Sequence, residues 1–193
     1  MSVIDKQAMS LPIMLYIVGW VFFVYLFVQL FNYGLAEQNN LLVSGLAFIN
    51  FGIHEVSHLV VFFLPTLIVA AAGSFGEIAF PALVMALAIR AKSYFAAIFA
   101  ALWTMLAMHS VGRYMADARA QALPLMGPGE SIQHDWNYIF SQLGTLQYDT
   151  LIGGSVRTAG TVLGISALIL GLYLIVIKLL VRSTVESADH QGQ

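Results

Sequence analysis

The stretch Phe51-Gly52-Ile53-His54-Glu55-Val56-Ser57-His58-Leu59-Val60-Val61-Phe62-Phe63-Leu64 sets two imidazoles and a carboxylate inside an otherwise apolar run. Residues four apart on an α-helix lie one turn above each other on the same face. His54 and His58 can therefore offer two ring nitrogens to one ion, with Glu55 beside them. That is the H-E-x-x-H pattern, in which the histidines hold zinc and the glutamate works on a water. An ionised residue at the centre of a bilayer costs about 2.5–3.5 kcal/mol, so a His-Glu-His set within a membrane helix needs a reason to stay.

The rest of the composition supports the membrane setting. Hydrophobic residues make up 60% of the chain and charged ones 9%, with a mean hydropathy of +0.84; soluble domains carry about 25% charged residues. The expected fold is an all-α integral membrane protein: a bundle of about five transmembrane helices, one of them kinked or re-entrant, with a short interfacial helix. Residues 1–185 read as a single polytopic domain and 186–193 as a disordered polar tail. There is no cysteine, so a bound metal must use histidine and carboxylate. A net charge of −2 gives no case for nucleic acid, which leaves the lipid bilayer as the evident partner.

Working outward from the motif, Pro12–Phe31 is a first span, retained as a helix because no cleavage site follows Lys6, and the motif helix covers Leu41 to Leu64, where Pro65 ends it. The third span, Thr66–Arg90, holds the small-residue run Ala70-Ala71-Ala72-Gly73-Ser74, which allows close helix approach, and then Pro81, which removes a helical hydrogen bond. A fourth runs from Ser93 to Met115. A polar loop over 116–133 carries Gly127-Pro128-Gly129, and a mixed segment follows from His134 to Ile152. Thr158–Leu180 is the last span. Lys6, Arg113, Arg119 and Arg157 fall at one end and Arg90, Lys92, Lys178 and Arg182 at the other, so the positive-inside rule selects no orientation.

Catalytic zinc takes three protein ligands and leaves a position open, so the His pair needs a third. In order, the candidates are His134, Asp135, Glu77 and His109. Each has a plainer role. His134 could solvate a loop, Asp135 could sit at a helix start where the macrodipole favours an acid, and Glu77 could be a protonated buried acid. Asp135 could also accept the N–H of a ligating imidazole. His109, Arg113 and Asp117 share one face of the fourth helix, where Arg113 and Asp117 can pair with each other or line a cavity near the metal. The His54–His58 pair could itself be interhelical hydrogen-bonding glue.

An H-E-x-x-H inside a membrane helix resembles the site-2 protease group of intramembrane zinc metallopeptidases. By that resemblance His54 and His58 match the paired zinc ligands and Glu55 the catalytic acid. The group's N-x-P-x-x-x-L-D-G-type segment, which supplies its third ligand, has no counterpart here, nor has its PDZ insertion. Over about residues 50–155 the chain also resembles small bacterial membrane proteins of unassigned function. The features shared are the His-Glu helix, Gly73-Ser74 to Pro81, Tyr114 to Arg119, and His134-Asp135-Trp136. These resemblances imply a multi-pass protein of the bacterial inner membrane and a zinc-dependent hydrolase, a metallopeptidase acting on a membrane-embedded protein substrate. The alternative is a non-catalytic metal-binding membrane protein, a divalent-metal carrier or scaffold.

Overall fold

The computed structural model describes residues 13–32, 40–124 and 134–191, with side chains to residue 181. All regular structure among the described residues is helical: α1 (Ile13–Phe31), α2 (Leu41–Val60), α3 (Thr66–Arg90), α4 (Tyr94–Ala116), α5 (Asp135–Gln142) and α6 (Asp149–Gln191), with a 3₁₀ turn at Leu146–Tyr148. α1, α3, α4 and α6 are each long and apolar enough to cross a membrane. α2, with 20 residues, is as long as α1, but His54, Glu55, Ser57 and His58 lower its hydropathy. The chain is an all-α membrane bundle. The loop residues 125–133, including Gly127-Pro128-Gly129, lie outside the described residues.

α4 is the central helix: 67% of its membrane window is buried inside the protein, against 17–28% for α1, α3 and α6. Phe23, Leu26 and Leu30 of α1, Val43 and Leu46 of α2, and Ala167 of α6 converge on its Ile98, Leu102, Met105 and Leu106. Against α6 the packing is closer still, because glycines remove the side chains that would hold the backbones apart. Gly112 and Gly153 face each other, Gly160 lies on Met108 and His109, and Gly164 lies on Met105.

The boundaries have local causes. Asn40 caps α2, its side-chain oxygen accepting from Leu42 N (3.1 Å) and Val43 N (3.3 Å). α2 stops at Val60, short of the expected Leu64. Leu64 precedes a proline and is pushed out of the helical region, and the reversal into α3 uses the turn Val61–Leu64, closed by Leu64 N on Val61 O at 2.8 Å. The motif therefore sits in the last two turns of α2, not at its middle. α3 runs unbroken from Thr66 to Arg90 through a buried Pro81, with no re-entrant interruption. α6 starts at Asp149, ahead of the expected Thr158, and reaches Gln191, taking in residues 186–191 of the expected tail; 192–193 lie outside the described residues.

With only eight residues, α5 is too short to be stable alone. Ile139 and Phe140 anchor it among Ala70, Val111, Met115 and Ala118, each large side chain contributing about 1.5–3 kcal/mol when fully buried. Trp136 Nε1 donates to Ser74 Oγ (2.9 Å) and Asn137 Nδ2 to Ala118 O (2.8 Å). Gly144, at φ +65°, ends the helix in a left-handed cap with Thr145 N on Phe140 O at 2.8 Å. A clamp completes this end: the buried Asp149 accepts from Arg119 N (3.1 Å) and from the exposed Arg119 guanidinium at Nε (2.8 Å) and Nη2 (2.7 Å).

The α4–α6 contact gives a direct test. A Cβ on Gly153 would fall against the Gly112 carbonyl and 2.8 Å from Ala116 N, whereas one on Gly154 meets nothing within 4 Å. Gly153→Ala is expected to destabilise the detergent-solubilised protein by about 1–3 kcal/mol and lower its melting temperature. Gly154→Ala should leave it unchanged or raise it.

Candidate metal centre

His54, His58 and Asp135 are brought together at the end of the bundle that carries α5: one ligand atom from each lies within 4.8 Å of the others. Asp135 Oδ2 is 3.3 Å from His54 Nε2 and 3.3 Å from His58 Nε2. A tetrahedral ion with bonds of about 2.0–2.1 Å spaces its ligand atoms about 3.3–3.4 Å apart. The two measured separations match that edge.

Each imidazole is fixed from behind. His54 Nδ1 is 3.2 Å from Glu77 Oε2, and His58 Nδ1 lies 2.7 Å from the Val69 carbonyl oxygen. A carbonyl only accepts, so His58 carries a proton on Nδ1, and in the neutral form that a metal ligand requires its Nε2 is the free nitrogen; the Glu77 carboxylate asks the same of His54. Such carboxylate and carbonyl backing is what orients ligating histidines. Glu77 is buried, and its other oxygen, Oε1, has no hydrogen-bond partner among the described residues.

Room for an ion comes from α3. A Cβ on Gly73 would fall against His54 Nε2 and 2.5 Å from His58 Nε2, in the space that a shared ion would fill. One turn on, Gly76 lets α3 rest on Ser57, whose hydroxyl donates to Ile53 O at 2.7 Å. The small-residue run read as a close-approach surface thus also makes the cradle. Beside the donors is a cavity of about 100 Å³, lined by His58, Thr66, Val69, Ala70, Asp135 and Tyr138. Two imidazoles, one carboxylate, a cradle shaped by Gly73 and an adjoining cavity suit a divalent ion such as zinc.

The other candidates take different places. His134, ranked first as third ligand, is not brought to the pair. It is the N-cap of α5, with Nδ1 accepting from Asn137 N at 3.2 Å and Nε2 facing Asp117 Oδ2 at 3.5 Å. Burial holds its imidazole below the ordinary histidine range against the opposing pull of Asp117. Asp117 accepts from Ala122 N and Leu123 N, both at 3.0 Å, and so ties down the chain after α4. Glu77 stands behind His54 instead of joining the donors. His109 lies apart, bonded through Nε2 to Thr161 Oγ1 at 2.9 Å. Arg113 is half-buried in the last turn of α4.

Burial pushes the Asp135 carboxyl upward, but hydrogen bonds from His54 and His58 outweigh it and hold the group below the usual carboxylate range. Asp135 is therefore an anion, as a ligand must be. Glu55 is half-buried on α2, directly after His54 in the chain. Two contributors carry no signal in the spacing: Gly73, whose part is an absence, and Tyr114, whose hydroxyl accepts from Asp135 N at 3.0 Å. Comparison with protein-family models, curated proteins and solved structures gives no match.

Gly73→Ala should abolish binding of a divalent ion while the helices stay folded, as read by metal content on detergent-purified protein. Gly52→Ala, where a Cβ meets nothing within 4 Å, should keep wild-type content.

Proposed function

We propose that the chain is a zinc-dependent intramembrane hydrolase, a metallopeptidase of the kind the site-2 protease resemblance implies, with His54, His58 and Asp135 as the metal ligands. The observation that carries this reading is the donor triangle: two buttressed imidazoles, each 3.3 Å from one carboxylate oxygen. When bound, zinc supplies Lewis acidity that polarises a carbonyl and acidifies a water. Glu55, next to His54 on the helix, accepts a proton from the attacking water and returns it to the departing amine nitrogen. Glu77 and the Val69 carbonyl keep both Nε2 atoms aimed at the ion through the cycle.

The site's depth suits this chemistry. His58 is in the last turn of α2, so water reaches the donors from the membrane boundary through the cavity bordered by Thr66 and Tyr138. A membrane-embedded protein, cut near the end of its span, is the matching substrate. The resemblance to small bacterial membrane proteins supports a setting in the bacterial inner membrane.

The test is cleavage of a fluorophore-and-quencher-labelled transmembrane peptide in liposomes, with zinc content measured alongside. Glu55→Gln should lower turnover by about 10²–10⁴-fold and keep its zinc. Asp135→Ala should lose both, and His134→Ala should retain zinc. Zinc bound in the wild type with no cleavage, and no effect of Glu55→Gln on metal or stability, would favour the carrier or scaffold instead.

A further inference from the structure

We infer that Tyr114 is the positioning residue of this metal centre: its hydroxyl sets the third ligand, Asp135, and its ring seats the adjoining His134. The inference rests on the metal reading above. The problem it solves is geometric. Two donors come from one helix and hold their spacing through its backbone, but Asp135 is the first residue of a separate eight-residue helix. A ligand so placed needs a fixed point on the bundle.

Tyr114 supplies one from α4. Its hydroxyl oxygen accepts from Asp135 N at 3.0 Å, satisfying a donor that a helix N-terminus leaves without an intrahelical partner. The same hydroxyl can donate to Asp135 Oδ2, at 3.5 Å, the oxygen that faces both histidines. One phenol therefore contacts both the backbone and the ligating carboxylate of Asp135. Its ring lies 4.2 Å from that of His134 at an interplanar angle of 32°, and 6.0 Å from that of His54. His134 in turn caps α5 through Asn137 N. The ring thus supports the cap while the hydroxyl fixes the ligand.

The two functions are separable by substitution. Tyr114→Phe keeps the ring under His134 and removes only the hydroxyl; Tyr114→Leu removes both. Zinc affinity would be measured on the detergent-purified full chain by competition with a chromophoric chelator, and cobalt-loaded samples compared by visible absorption. Tyr114→Phe should weaken zinc by about 10–100-fold, the range for losing a group that orients a ligand, and alter the cobalt spectrum. An affinity and spectrum equal to wild type in the Phe variant, with only the Leu variant impaired, would overturn the inference and reduce Tyr114 to packing. A measurement on unaltered protein guards against misfolding of the variants: the Asp135 amide should exchange slowly with solvent, and fast exchange would contradict the hydroxyl contact. Wild-type protein that binds no zinc would overturn the metal reading itself, and this inference with it. That outcome is distinct from wild type and the Phe variant binding alike.

Discussion

A backbone carbonyl and a carboxylate behind two imidazoles fix most of what is distinctive in this protein. Where α2 packs on α3, a ring nitrogen turned away from the cavity is cut off from water, so its partner must come from the protein. Val69 and Glu77, both on α3, take the Nδ1 atoms of His58 and His54. To do so α3 must approach α2 closely, and Gly73 and Gly76 on the facing side allow it. The turn at Val61–Leu64 follows from the same need, since it brings Pro65 and the first residues of α3 back against His58.

Once both Nδ1 atoms are engaged, both Nε2 atoms face the one gap that the glycine leaves. A third group of opposite character completes the arrangement, and Asp135 reaches it because α5 is bound to the bundle by Ile139, Phe140 and two side-chain hydrogen bonds. The central position of α4 matters here. It carries the α1 and α2 core along its length, the glycine contact with α6 on another side, and Tyr114 and Val111 beneath α5 at its end. The candidate metal centre therefore rests against the most buried of the four membrane-spanning helices, although none of the three donors belongs to it.

Much of the architecture is legible in the hydropathy of the chain. The apolar runs give α1, α3 and α4 nearly to the residue, because lipid imposes the same requirement on every position of a span. The last span reads as Thr158–Leu180, yet the helix already begins at Asp149, since the glycine at 153 serves helix contact and not chain reversal. In the site, the His54–His58 pair is visible because its spacing is local to one helix. The choice between His134 and Asp135 is not. They are adjacent in sequence, and which one faces inward depends on the capping of α5. Aspartate is a common N-cap and histidine is not, but here His134 caps and Asp135 faces the histidine pair. That reversal is set by Tyr114 and Asp117 on and after α4, contacts that no local pattern encodes.

The most direct measurement is X-ray absorption at the zinc edge on the purified, zinc-equilibrated chain. A first coordination shell at about 2.0–2.1 Å, with outer-shell scattering from two imidazoles and the remaining positions filled by oxygen, is the expected result. A spectrum requiring three imidazoles would contradict the assignment of Asp135 over His134. Protein that retains no zinc after equilibration would contradict the metal centre altogether.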